Sequence, residues 1–227
     1  MIDLFVGYDA RESVAYHVFC QSVIQWATEP VAIHPLHLRG LTKEYVETHK
    51  DGSNAFIYSR FLVPHMMGFN GWAIFADGDM VVTADIAELW ALRDDTKAVQ
   101  VVKHDYKTKE ARKYIGSSME THNLDYPRKN WSSVVLWNCG HPANKVLTPQ
   151  YVMDCGGSTL HRFEHLSDDL IGELPKTWNW LPQEEGINQY AKLLHYTLGA
   201  PGIAHYRGSP QADEWFKALA AANYVQV

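Results

Sequence analysis

Residues 71–83 read GWAIFADGDMVVT. An apolar run, Trp72 to Ala76, is followed by Asp77-Gly78-Asp79 and then by Met80-Val81-Val82. Two structures compete for this pattern. Asp-Gly between apolar runs is a hairpin signal, because both residues tolerate left-handed backbone. The alternative is a site. Residues i and i+2 of an extended segment point the same way, so Asp77 and Asp79 can offer hard oxygens to one divalent cation such as Mn²⁺ or Mg²⁺.

The flanking sequence favours the site. Ile2 to Val6 reads as a short buried strand ending at Gly7. From Arg11 to Ala27 the period becomes helical, with Ala15, Val18, Phe19, Ser22, Val23 and Trp26 on one face. Val31 to Leu38 reads as a strand that Pro35 confines to an edge. Ser53 or Asn54 caps a helix running to about Met66 and interrupted near Pro64, and Asp85 caps another from Ile86 to Leu92. Ala98 to Val102, Ser132 to Trp137 and Leu193 to Tyr196 read as strands, and Ala212 to Ala222 as a terminal helix. Strands alternating with helices imply an α/β fold, a mostly parallel sheet flanked by helices, in a single domain over residues 1–227. Such sheets bind ligands beyond the carboxyl ends of their strands. Gly7-Tyr8-Asp9 and Asp77-Gly78-Asp79 then lie on one rim.

Composition bounds the function. A formal net charge of −6 argues against a general nucleic-acid binder, which needs a basic face. Cys20, Cys139 and Cys155 are an odd set without CxxC spacing, which fits the reducing cytoplasm. No apolar stretch approaches the length of a membrane span, and the N-terminal residues lack the pattern of a signal peptide.

Four segments in this order, FVGYDARESVAYHVFCQSV, IYSRFLVPHMMGFNGWAIFADGDMVVTADIAELW, LPKTWNWL and LLHYTLGAPG, resemble the nucleotide-sugar glycosyltransferases of the GT-A fold. The nearest likeness is to glycosyltransferase family eight, the glycogenin-like and lipopolysaccharide-galactosyltransferase-like group, and it spans residues 2 to about 202. The resemblance implies that Asp77, Asp79 and His195 hold Mn²⁺ or Mg²⁺. It implies that Tyr8 and Asp9 hold the nucleotide base and that Arg60 lies against the nucleotide-sugar, with Gly7, Gly78 and Ser133 completing the donor set. Asp168 or Asp169, in LSDDLIG, and Asn138, in SSVVLWNCG, are the catalytic candidates near the transferred sugar. A UDP-sugar donor, a glycan, lipid-linked or protein acceptor, and a retaining outcome follow from the same resemblance. The chain departs from the family where relatives carry a Lys and a Trp after the ligand His. Here the run is Gly199-Ala200-Pro201-Gly202-Ile203, which leaves Arg207 or a backbone N–H to meet the phosphates. The chain is short for the group, so its acceptor pocket is either open or completed by another chain, as in a homo-oligomer.

Two other functions fit parts of the pattern. An aspartyl-nucleophile phosphatase of the haloacid-dehalogenase type would use Asp77 as nucleophile and Asp79 as acid, with Asp168-Asp169 as its later acidic pair. A catalytically silent nucleotide-sugar-binding module would need no acceptor chemistry. His161 and His165, four apart in HRFEH, could share a helical face, although the run is not the HExxH of a zinc site. The Trp178-Asn179-Trp180 run reads as core and a hydrogen-bonded turn.

Overall fold

The computed structural model describes residues 1–223. In chain order its strands are β1 (Ile2–Gly7), β2 (Val31–Leu36), β3 (Trp72–Ala76), β4 (Met80–Val82), β5 (Val99–Val101), β6 (Arg112–Lys113), β7 (Thr121–His122), β8 (Val134–Asn138), β9 (Ile171–Glu173) and β10 (Leu193–His195). Six of them form one sheet in the order β2-β1-β3-β8-β5-β9. β1 pairs in parallel with β2 and β3, and β5 with β9, while β8 lies antiparallel between β3 and β5. This is the expected α/β class, with one reversed strand. β2 occupies the edge, where Pro35 costs no ladder hydrogen bond.

The central strands are apolar along their length because both faces of the sheet are covered. Ile2, Leu4, Val6, Ile74 and Ala76 pack on one side with Phe19 and Val23 of the helix Ser13–Trp26. Phe5, Ala73, Phe75, Val135 and Trp137 pack on the other with Phe61 and Phe163. The long helix buries Ala15, Val18, Phe19, Ser22 and Val23 as its spacing implies. Trp26, expected on that face, is 49% exposed, because it is the last helical residue and the chain turns extended at Ala27.

Residues 53–66 also depart from expectation. They hold turns, a 3-10 turn at Ser59–Leu62 and one α-turn at Val63–Met66, instead of a single helix capped by Ser53 or Asn54. Pro64 is the second residue of that α-turn, within the first turn where its missing N–H is not needed. Between β5 and β8 the chain makes an excursion whose only strands are the antiparallel pair β6–β7. No helix among the described residues is long and apolar enough to cross a membrane.

β3 and β4 are not a hairpin. β3 ends in the large sheet, whereas β4 pairs antiparallel with β10 in a separate two-stranded sheet. Asp77-Gly78-Asp79 is the crossing between them. The Asp77 N–H donates to the Ser133 carbonyl at 2.9 Å, and the Asp79 carbonyl accepts from the Tyr196 N–H at 3.0 Å. Ser22 ties the long helix to β4, accepting from the Val82 N–H at 3.1 Å and donating to the Phe19 carbonyl at 2.7 Å.

Glycine is needed in this crossing for close approach. A Cβ on Gly78 would lie 2.5 Å from the Gly7 carbonyl oxygen, and one on Gly7 would lie 2.3 Å from the Phe56 ring. A backbone oxygen cannot swing aside as a side chain can. Gly78→Ala is therefore expected to cost about 1–3 kcal/mol in urea unfolding. Gly40→Ala, whose Cβ would meet nothing within 4 Å in the helix Leu38–Leu41, is expected to be neutral or stabilising in the same measurement.

Candidate active site

The parallel pairing of β1 and β3 carries Gly7-Tyr8-Asp9 and Asp77-Gly78-Asp79 to one rim. β10 brings in the third component, since His195 pairs with Met80 directly after the second carboxylate. His195 Nε2 lies 3.4 Å from Asp79 Oδ1 and 4.0 Å from Asp77 Oδ2. All three side chains are buried, and one ligand atom from each lies within 4.8 Å of the others. Around an octahedral ion at about 2.1 Å, neighbouring ligand atoms sit about 3 Å apart and opposite ones about 4.2 Å. The two separations from His195, 3.4 and 4.0 Å, lie in that range. Asp79 Oδ1 is buried without a hydrogen-bond donor, as an oxygen waiting for a cation would be.

Asn179 sets the imidazole. Its amide nitrogen donates to the Asn130 carbonyl at 3.2 Å, which turns Oδ1 toward His195. His195 Nδ1 then donates to that oxygen at 2.9 Å. Nε2 is left with its lone pair facing the two carboxylates, the usual way a neighbour fixes a metal-binding tautomer. The Trp178-Asn179-Trp180 run is core and turn, as its composition implies, but the Asn has this further task. Only its position between two buried-looking aromatics hinted at a side chain that would need an internal partner.

Arg60 is buried and aimed at Asp77. Its Nη1 lies 2.7 Å from Asp77 Oδ1 and donates to the Ser132 carbonyl at 3.0 Å, and its Nε donates to the Ile57 carbonyl at 3.1 Å. The guanidinium lies over the rings of Phe56 and Phe75. Burial pushes the Asp77 carboxyl up to about 6, a rise that Arg60 opposes and the Asp79 charge adds to. Glu12, absent from the sequence-based candidates, joins the same cluster. Both its carboxylate oxygens are buried without a partner, and burial together with Asp79, Asp9 and Asp77 raises its pKa well above the ordinary range.

Other predicted residues have different surroundings. Asp9 reaches the rim, but its oxygens accept from the Arg11 N–H at 2.9 Å, Arg11 Nε at 3.0 Å, Arg11 Nη2 at 2.6 Å and the Ala55 N–H at 2.9 Å. That leaves it no free lone pair for a base. The Tyr8 ring stands edge-on to Tyr16 and His37. Ser133 contributes its carbonyl to Asp77, and Gly7 and Gly78 provide clearance. Arg207 is exposed and lies over the Phe216 ring, away from the carboxylates.

The three catalytic candidates are corrected by strand polarity. Because β8 runs against β3, Asn138 pairs with Trp72, at the far end of the strand from Asp77. Its amide donates to the Lys97 carbonyl at 3.1 Å, and Lys97 Nζ in turn donates to the Asp169 carbonyl at 2.8 Å. Asn138 and Asp169 thus belong to the opposite rim. Asp168 is on the surface, paired with Arg128 at 2.6 Å. The phosphatase alternative loses its second acidic pair by the same placement.

A cavity of about 490 Å³ opens beside the cluster, between the β6–β7 hairpin and the helix Gly157–His161. Lys113, Asn123, Asn130, Tyr58, His161 and Thr197 are among the residues that line it. His161 Nδ1 lies 2.6 Å from Ser132 Oγ, next to the carbonyl that holds Arg60. His161 and His165 do not share a helical face, since the helix ends at His161.

Comparison with known proteins gives a consistent picture. The family model described as glycosyl transferase family 8 matches residues 13–140. Protein CDI of Arabidopsis thaliana is 41% identical over 231 residues, covering 97% of this chain and 86% of that protein. Among solved structures, the galactosyltransferase LgtC, in complex with donor and acceptor sugar analogues, superposes with a TM-score of 0.59 at 12% identity over 99% of this chain and 98% of its own. The glycosyltransferase GlyE of Streptococcus pneumoniae TIGR4 gives 0.62 at 12% identity over 98% of this chain and 63% of its own. The bifunctional glycosyltransferase WbbM gives 0.61 at 13% identity over 96% of this chain, which spans only 49% of the WbbM chain. At such identities the structural likeness establishes the GT-A fold.

His165 gives this region a pH signature. Both ring nitrogens are buried without partners, and burial brings its pKa down to about 4 from an ordinary 6.5. The unfolded chain takes up the proton first as the medium is acidified. Stability from this group is intact above pH 6.5 and is lost as the pH falls toward 4. The slope should approach about 1.4 kcal/mol per pH unit. Urea unfolding between pH 7 and about 4.5 is expected to show a shallower slope in His165→Gln than in the parent.

Proposed function

The chain belongs to glycosyl transferase family 8, and we propose that it acts as a single domain moving a sugar from a UDP-sugar to a hydroxyl of a glycan, lipid-linked or protein acceptor, with retention. It is a nucleotide-sugar glycosyltransferase; the uridine, the acceptor and the stereochemistry are our assignments from family resemblance. The observation that carries the metal-dependent mechanism is the buried set of Asp77, Asp79 and His195, with the imidazole tautomer fixed by Asn179.

Each residue then has a defined task. Asp77 and Asp79 would hold Mn²⁺ or Mg²⁺ through oxygen, and His195 through Nε2. When bound, the cation supplies Lewis-acid neutralisation of the charge that grows on the departing diphosphate. Arg60 keeps Asp77 oriented and partly compensates the two adjacent carboxylates. Asn179 keeps the lone pair of His195 on the site. The cavity beside the β6–β7 hairpin, where Asn123, Asn130, Tyr58 and Thr197 offer polar groups on a largely apolar wall, is a place for sugar hydroxyls beside the donor, where desolvation strengthens each hydrogen bond. The unpaired thiols of Cys20, Cys139 and Cys155 support a reducing compartment, the cytoplasm.

Two measurements test this. In a thermal-shift series of nucleotide-sugars with and without Mn²⁺, the midpoint should rise modestly with Mn²⁺ alone and further when a UDP-sugar is added with it, through mass action on the native state. Asp79→Asn should keep the fold by circular dichroism and lose Mn²⁺-dependent UDP release by about a hundredfold or more. Unchanged release in the folded variant would exclude Asp79 as a ligand. A protein that binds UDP-sugar with Mn²⁺ yet releases no UDP with any acceptor, or with water, would instead be a binding module.

A further inference from the structure

The diphosphate of a nucleotide-sugar must lie beside carboxylates that repel it. One divalent cation between Asp77 and Asp79 cancels only their own charge, so the phosphates need further positive charge from the protein. Arg60 is committed to Asp77 and two carbonyls, and Arg11 to Asp9. The segment after His195, Tyr196 to Tyr206, contains no Lys or Arg.

Lys113 is differently placed. It lies on β6, in the excursion outside the main sheet, and lines the cavity beside the cluster. Two contacts fix its neighbourhood. The next residue, Tyr114, donates its N–H to the Leu198 carbonyl at 2.6 Å, three residues beyond His195. The Ile115 N–H donates to Tyr206 Oη at 3.1 Å. The hairpin is thereby pinned to the segment that follows the imidazole. On the other side, Lys113 Nζ donates to Ser53 Oγ at 2.9 Å, and the Ser53 carbonyl faces Arg11 beside Asp9. The ammonium thus spans the opening between the first-strand rim and the His195 segment.

Its partners are incomplete. An ammonium has three donors, and the one hydrogen bond recorded for Nζ goes to a neutral hydroxyl. Among the described residues no carboxylate lies within ion-pair distance of it. Burial lowers its pKa, while Asp79 and Asp77 act the other way, which places it in their field without contact. The ammonium also lies over the Tyr114 ring, 5.2 Å from its centroid, and a hydroxyl and a ring face leave its charge without a counter-ion, suited to an anion that a cation has already drawn there.

We propose that Lys113 is the residue that holds the donor's phosphates, reaching them from the β6–β7 hairpin and not from the segment after the metal-binding histidine. This rests on the donor assignment above. A base or ribose contact would be indifferent to the ammonium, whereas a phosphate contact requires it. The hairpin therefore also belongs to donor binding.

The test is calorimetric titration of the full chain with UDP and with uridine, each in the presence of Mn²⁺, for the parent, Lys113→Met and Lys113→Arg. Loss of one charge-assisted contact is expected to weaken UDP about tenfold or more in Lys113→Met, leave uridine affinity unchanged and Mn²⁺ affinity no weaker, and recover partly in Lys113→Arg. The loss should shrink as salt is raised. Equal UDP affinity in the parent and Lys113→Met would overturn the assignment while leaving the donor reading intact. Equal weakening of UDP and uridine would also overturn it, by showing a merely structural role for the hairpin. A parent that binds Mn²⁺ but no UDP would refute the donor reading itself, and Lys113 with it.

Discussion

The main chain at Asp77 is held by Ser133 in the large sheet, and two residues later the main chain at Asp79 is held by Tyr196 in the small one. Every feature of the site depends on that change of sheet. A continuous strand would also place the two carboxylates on one face, but would leave no third element between them. Because the chain switches, β10 can run alongside β4 and deliver His195 to the carboxylates from the other side. The cost is steric and falls on Gly78, which must pass within contact of the Gly7 carbonyl. The aspartates and the glycine between them are thus one device, with the side chains serving the site and the missing side chain serving the crossing.

The second constraint is electrostatic. Asp9, Glu12, Asp77 and Asp79 gather in a small volume, where burial and then the neighbouring negative charges raise the proton affinity of Glu12 and Asp77. The protein relieves part of this with Arg11 on Asp9 and Arg60 on Asp77. It leaves Asp79 Oδ1 and both oxygens of Glu12 without donors. Such unsatisfied buried oxygens destabilise a protein that has no cation to offer them. Sites that bind charged ligands commonly carry local destabilisation of this kind.

What the sequence disclosed, and what it hid, follows from how far each contact reaches. The rim of Tyr8, Asp9, Asp77 and Asp79 was legible because strand-helix alternation implies parallel strands, and parallel strands end together. His195 was legible only through the company of HYTLG. Asn138, Asp168 and Asp169 were misplaced because a short apolar run such as Val134 to Trp137 carries no sign of its direction, and β8 is the reversed strand. Of the helix expected over residues 53–66 only the turn Val63–Met66 is α-helical, with Pro64 in its first turn and not at its end. Glu12, Lys113 and Asn179 escaped notice for one reason. Each acquires its surroundings from residues distant in the chain; for Glu12 and Lys113 nothing in a local window distinguishes a buried charge from a solvated one, and for Asn179 the flanking tryptophans signalled burial but not the imidazole it would meet.

The contact between Asp79 and Tyr196 has a consequence for how this molecule comes together. It joins segments separated by more than half the chain, and the site is incomplete until that loop has closed. Contacts of such long sequence separation are formed at a high entropic cost and tend to form late. A cation bound by Asp77, Asp79 and His195 would therefore meet a chain that is already nearly native. It would do little to hasten folding, and would act mainly by holding the finished molecule shut, lengthening its lifetime against unfolding.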